Sequence, residues 1–197
     1  MSGEIRSKLP GKLKKLQRKT ALKRRTALSE EKRKEYSRRI CENIINSGSY
    51  KEADSIMLYR AFGTEANLSV LEEQAKKDGK KLIYPYCTDG EHMLAVHPKS
   101  GCKWVSGRYG IDTPDITMCE TVNGEDIDLV ICPCSAFDEE FSRLGMGKGY
   151  YDRFLPKCKN AGLMLAAFET QKLPKICIDR HDIKMHAYVT EECIRKK

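Results

Sequence analysis

The densest chemistry in this 197-residue sequence lies in ten consecutive residues, Arg143-Leu144-Gly145-Met146-Gly147-Lys148-Gly149-Tyr150-Tyr151-Asp152. Three glycines at alternate positions remove three β-carbons from one short segment. The main chain can then approach a ligand closely and turn its N–H groups toward it. The segment runs into a predicted helix N-terminus, whose free N–H groups favour an anion. Arg143 adds a bidentate cationic fork and Lys148 a point charge. Together these suit a polyphosphate. The spacing is neither a Walker A pattern nor GxGxxG, and taken alone it also fits a tight glycine-rich turn with incidental charges. Asp152, within one turn of the loop, is placed to hold magnesium against phosphate oxygens. A first-turn aspartate favoured by the helix dipole is the competing explanation.

Other chemistry-bearing residues are more scattered. Lys14, Lys15 and Arg18 fall on adjacent turns of a predicted helix, within reach of a shared anion or forming a solvated basic face. Glu65 sits in a turn just after a predicted strand. His181-Asp182, by itself, suggests a metal or acid–base pair. The four histidines (92, 97, 181 and 186) lack metal-ligand spacing, and no serine or cysteine nucleophile motif is present. The nine cysteines are odd in number and irregularly spaced, as expected of free thiols in a reducing compartment.

The elements that must position these residues follow from pattern. Residues 8–28 read as a basic amphipathic helix with Leu9, Leu13 and Leu16 as its apolar stripe. Ser29 is a good N-cap for a second helix, with Glu30 and Glu31 in its first turn and Tyr36, Ile40 and Ile44 facing inward. Asn46-Ser47-Gly48 ends it. Strands are then predicted over 55–59, 81–86, 93–97, 127–132, 163–168 and 187–190, with helices over 67–77 and 150–159. The alternation implies α/β architecture: a single three-layer α/β/α domain over 1–197 with a mainly parallel open sheet. The N-terminal helices, 1–48, form a basic hairpin on that body. Ligands in such folds bind beyond the carboxyl ends of the strands. The loops after 55–59, 127–132 and 163–168 are therefore expected to line the site.

The net charge of +8 belongs to the N-terminus. Residues 1–40 carry 15 lysines and arginines against 4 glutamates, and the remainder 21 against 24 acids. Residues 1–29 hold ten basic residues and one acid, a composition compatible with organelle import, although it is rich in lysine and poor in serine. The first residues lack the apolar core of a secretory signal. No apolar run approaches the roughly 18–20 residues of a membrane span. A cytoplasmic location is expected, with mitochondrial import left open.

Taken in order, the basic helix leading into residues 28–33, the strand-turn carrying Glu65, Ala136-Phe137-Asp138 followed by residues 143–155, and the 168–171, 173–174, 181–183 and 189–191 segments resemble the 5-formyltetrahydrofolate cyclo-ligase family from about residue 12 to 191. Two positions depart from the family pattern. Phe141 stands where the family usually has glycine, and Cys134 follows Pro133 where Pro-Gly is usual. The resemblance implies ATP-driven cyclisation of 5-formyltetrahydrofolate to 5,10-methenyltetrahydrofolate, with release of ADP and phosphate through phosphorylation of the formyl oxygen. It implies ATP contacts by Lys14, Lys15, Arg18 and residues 143–151 (Arg143, Leu144, Gly145, Met146, Gly147, Lys148, Gly149, Tyr150 and Tyr151). Lys148, Arg143 and Tyr151 are the expected catalytic residues, and Asp152 and Asp182 the magnesium ligands. Arg60, Glu65, Tyr109 and Met146, Gly147, Lys148, Gly149 and Tyr150 are expected to face the reduced folate. A monomer with no nucleic-acid or membrane partner completes the expectation. The alternatives are another small ATP-dependent ligase or kinase sharing the loop, or a nucleic-acid-binding module using the first helix. The latter leaves the glycine loop unexplained and lacks aromatic–basic interleaving.

Overall fold

The computed structural model of the chain describes residues 3–197, with side chains from residue 11 onward. Its centre is an eight-stranded sheet. The strands are β1 (Ser55–Met57), β2 (Lys81–Cys87), β3 (Met93–Pro98), β6 (Cys119–Val122), β7 (Leu129–Cys132), β10 (Gly162–Ala166), β11 (Ala187–Val189) and β12 (Ile194–Lys196). Their order is β12-β11-β10-β7-β1-β2-β3-β6. The five central strands, from β11 to β2, are parallel, and the flanking strands at both edges are antiparallel. Two small hairpins lie outside this sheet: β4 (Trp104–Ser106) with β5 (Asp112–Pro114), and β8 (Ala136–Phe137) with β9 (Arg143–Leu144).

The central strands read as continuous apolar runs because both faces are covered. In β7, Leu129 and Ile131 point into one core while Val130 and Cys132 point into the other. The first face is covered by α2 (Glu30–Asn46), α3 (Gly48–Glu52) and α4 (Ser69–Lys77). Ser29 caps α2 by accepting the Lys32 N–H at 3.3 Å, and Ile40, Cys41 and Ile44 are fully buried, as the inward stripe predicts. The opposite layer is thinner. It contains α5 (Tyr150–Phe154), a 3₁₀ turn at Leu155–Lys157, and Phe137 packed 5.1 Å from Tyr188. The predicted 150–159 helix stops early because Pro156 follows Leu155 and cannot continue the hydrogen-bond ladder.

The first helix, α1 (Gly3–Thr26), overturns its predicted apolar stripe. Leu13 and Leu16 are exposed, at 46% and 59%, and the side chain of Leu9 lies outside the described residues. The buried positions are instead Lys14, Ala21 and Arg25, with Arg18 half-buried between them. This stripe recurs at helical spacing but is mostly cationic. It lies against β8 and the turn at Glu169–Gln171, whereas α2 packs on α4 and β11. None of the described helices is long and apolar enough to cross a membrane.

Candidate functional site

A cleft of about 930 Å³ opens beyond the carboxyl ends of β1, β2 and β7. Its size is that of a small-molecule site. The segments after β1 and β7 line it, through Arg60, Glu65, Pro133 and Cys134. The connection after β10 also lines it, through Asp179 and Asp182 in its later part. α1 covers only its first turn, at Glu169–Gln171, and adds Lys14 and Arg18 to the cleft.

The glycine loop forms one wall, with all ten residues from Arg143 to Asp152 lining the cleft. Gly147 and Gly149 hold φ values of +97° and +69°, which L-side chains rarely adopt. A β-carbon at Gly147 would meet the Arg18 guanidinium at 3.4 Å, and one at Gly149 would meet Arg153 Nη1 at 2.8 Å. Gly147 is therefore needed for its turn, and at Gly149 a side chain would also displace Arg153. Arg18 Nε donates to the Gly145 carbonyl at 2.8 Å, tying α1 to the loop. Arg153 donates to the carbonyls of Lys148 at 2.8 Å and Glu91 at 2.6 Å, holding the far side.

The cations differ in how far they are already committed. Arg143 is buried and bonded to Asp152 Oδ1, lies 5.5 Å from the Tyr151 ring, and leaves its buried Nε without a partner among the described residues. Lys14 is buried against Asp179 at 2.8 Å and against Asp182. Burial alone would lower its pKa, but hydrogen bonds and charge from the two aspartates outweigh this and raise it above the ordinary lysine value. Lys148 is exposed in the cleft and makes no ion pair among the described residues. Lys15 is also exposed but does not line the cleft, since one step along a helix turns a side chain away by about 100°. Tyr151 lines the cleft floor, and burial raises its phenol well above the usual range.

Asp152 and Asp182 both line the cleft, each bonded to a cation. Among the described residues no group of three His, Cys, Asp or Glu could hold a metal. These carboxylates therefore fit only an ion that brings most of its own ligands, as magnesium does with phosphate oxygens and water. The His181-Asp182 acid–base pair suggested by adjacency does not form. His181 Nε2 meets Arg180 Nε at 2.9 Å, while Asp182 accepts the Asp179 N–H at 2.7 Å.

The facing wall is aromatic. The β4–β5 hairpin brings Trp104, Val105 and Tyr109 to the cleft, all substantially exposed. The Arg60 guanidinium lies 3.8 Å from the Trp104 ring centre and 5.3 Å from that of Tyr84, and is paired with Glu72 at 2.9 Å. Tyr109, at φ +62°, brings its hydroxyl to 3.4 Å from that of Tyr150. Between the walls sits Glu65, whose Oε2 accepts the Phe62 N–H at 3.0 Å. Burial raises its carboxyl pKa, against the opposing pull of that N–H and of Arg25.

Arg25, Trp104, Tyr84 and Asp179 were missed from sequence. Arg25 is buried and reaches Thr64 Oγ1 at 3.0 Å, the Cys134 carbonyl at 3.3 Å and Glu65 at 4.0 Å. Its spacing of seven from Arg18 placed it on the Lys14 face, a signal that could have found it. Asp138 proves structural: it accepts the N–H groups of Glu140, Ser142 and Ile176 at 2.8–3.1 Å.

Comparisons with known proteins agree with this geometry. Residues 10–191 match the 5-formyltetrahydrofolate cyclo-ligase family. A probable 5-formyltetrahydrofolate cyclo-ligase of Schizosaccharomyces pombe is 31% identical over 78% of this chain and 82% of its own. The mouse 5-formyltetrahydrofolate cyclo-ligase is 28% identical over 84% and 87%. The structure is similar to that of Aquifex aeolicus 5,10-methenyltetrahydrofolate synthetase, with a TM-score of 0.82 and 34% identity, covering 93% of this chain and 92% of that one.

Proposed function

The chain belongs to the 5-formyltetrahydrofolate cyclo-ligase family, and on that premise we propose that its cleft binds ATP along the 143–152 loop and the reduced folate between Glu65 and the β4–β5 hairpin. The activity is the cyclisation of 5-formyltetrahydrofolate to 5,10-methenyltetrahydrofolate. The formyl oxygen leaves poorly as hydroxide, so it is first made a phosphate ester by transfer of the γ-phosphoryl group. Nitrogen 10 then attacks the formyl carbon and phosphate departs, leaving ADP. Such a transfer needs alignment and charge neutralisation more than a side-chain nucleophile, which agrees with a cleft offering backbone N–H groups and cations.

The observation that carries this reading is Lys148. It is an exposed ammonium without an ion-pair partner among the described residues, on a loop where Gly147 and Gly149 open the main chain. It neutralises charge on the transferring group. Arg18, fixed to the Gly145 carbonyl, holds the loop and meets the phosphates. Arg143 keeps its guanidinium beneath the loop through Asp152 and orients Tyr151. Lys14 holds Asp182 in the cleft. Magnesium bound with the nucleotide would be held by Asp152 and Asp182 and would supply charge neutralisation at the phosphates. Arg60, Glu65, Tyr109 and Trp104 orient the folate. Lys15 has no role in this arrangement. The nine cysteines suit a reducing compartment such as the cytoplasm.

The test is direct. Purified protein is mixed with 5-formyltetrahydrofolate, ATP and magnesium, and the near-ultraviolet absorbance of the methenyl product is followed. Product is expected only when both ATP and magnesium are present. Product formed equally well without ATP would remove the basis for the whole assignment.

A further inference from the structure

Cys102 and Cys119 stand at the two ends of the segment carrying the β4–β5 hairpin. Both thiols donate to one carbonyl oxygen, that of Asp115, at 3.8 Å and 3.2 Å. The backbone around them is fixed. Cys119 pairs with Pro98 in the β3–β6 ladder. Lys99 N–H donates to the Met118 carbonyl at 2.9 Å, Cys102 N–H to the Lys99 carbonyl at 3.0 Å, and Asp115 N–H to the Lys103 carbonyl at 2.9 Å. Both cysteines are half-buried, whereas Cys41, Cys132, Cys134 and Cys158 are buried. Neither thiol has a place in the mechanism above. Twelve of the residues lining the cleft lie between them, within 104–116.

We propose that Cys102 and Cys119 form an oxidisable dithiol whose disulfide ties the base of the hairpin and holds one wall of the cleft in place. The oxidant class is a small-molecule disulfide. The Cys102 thiolate attacks one of its sulfurs, forming a mixed disulfide and releasing one small thiol. The Cys119 thiolate then attacks Cys102 Sγ and expels the second. The two protein thiols lose two protons and two electrons, and the small disulfide gains them as two thiols. Thiols that share one acceptor oxygen are neighbours, and side-chain rotation can carry neighbouring sulfurs to disulfide geometry. Burial, followed by the neighbouring Cys102, pushes the Cys119 thiol up to about 11. Its thiolate is therefore scarce at neutral pH, and the closing step speeds up as pH rises.

The experiment treats the folded full chain with oxidised glutathione across a pH series. Remaining thiols are alkylated without reduction, and peptides are identified by mass. The expected result is a cross-linked peptide joining 102 to 119, lighter by two hydrogens and forming faster at higher pH. In Cys119→Ser, Cys102 instead stops at the glutathione adduct. Amide exchange over 104–114 is then compared between reduced and oxidised protein and is expected to slow by roughly tenfold on oxidation. Oxidation confined to Cys87, Cys177 or Cys193, or a 102–119 bond seen only after unfolding in urea, would overturn the pair. A bond that leaves hairpin exchange unchanged would overturn the stapling role.

Discussion

The glycine loop at 143–152 and the hairpin at 104–114 meet at Tyr150 and Tyr109 but present opposite kinds of surface to the same cleft. The loop works through its main chain. Gly147 and Gly149 take backbone conformations that glycine supplies, Arg143 is withdrawn beneath the loop and paired, and Lys148 alone is left as an open charge. The hairpin works through its side chains. Trp104, Val105 and Tyr109 expose apolar surface, the neighbouring Arg60 is already paired and stacked, and Arg108 in the hairpin's turn is its one exposed cation in the cleft. One wall therefore suits phosphate oxygens and the other an aromatic ring system. Two chemically different substrates need such a division, because a surface good for one desolvates the other at a loss.

That division predicts separable effects. Lys148→Ala has the largest: kcat falls by at least about 100-fold while both KM values change only a few-fold, the signature of charge neutralised mainly in the transition state. If ATP KM rose instead with kcat preserved, Lys148 would be a ground-state phosphate contact. Gly149→Ala comes next. The new β-carbon faces Arg153 Nη1 at 2.8 Å on a φ of +69°, so ATP KM is expected to rise roughly tenfold with folate KM unchanged. Trp104→Ala should do the converse. Loss of the ring and of its contact with Arg60 raises folate KM by about 3–10-fold, and ATP KM stays put. A Trp104 variant that weakened both substrates equally would break the two-wall description. Steady-state kinetics with each substrate varied in turn decides all three.

The two walls were also unequally legible. Glycines at alternate positions, cations and a following helix start are local features, and the loop could be read from ten residues. The parallel core was equally plain, because a strand covered on both faces announces itself as an unbroken apolar run such as Leu129–Cys132. The hairpin was not legible. Its strands are three residues each, too short for alternation to register, and Trp104 gains its place only by reaching Arg60 and Tyr84. The α1 stripe failed for a related reason. Leu13 and Leu16 had the right period, but Lys14 and Arg25 are buried because Asp182 and the Cys134 carbonyl wait for them. Hydrophobic pattern finds faces that seek apolar neighbours. It is blind to a polar face whose partners lie more than a hundred residues away.

The smallest predicted effect concerns Phe141, in the turn that feeds the glycine loop. Phe141 has φ +64°, the left-handed region where a non-glycine residue costs about 1–2 kcal/mol. The turn requires this conformation: Phe141 N–H donates to the Asp138 carbonyl at 3.2 Å, and its own carbonyl accepts the Met185 N–H at 2.9 Å. The ring offsets the cost by packing 5.6 Å from Tyr188, a contact of about 0.5–1.5 kcal/mol. Phe141→Ala loses the ring and keeps the strain. Phe141→Gly loses the ring and sheds the strain. Urea denaturation should therefore rank Phe141→Ala below Phe141→Gly by about 1 kcal/mol at equal m-value. Phe141 does not line the cleft, so kcat should hold in both variants. A fall in kcat with either one would mean that the loop takes its shape from the turn before it. The glycine positions would then no longer suffice to explain why that wall binds through its backbone.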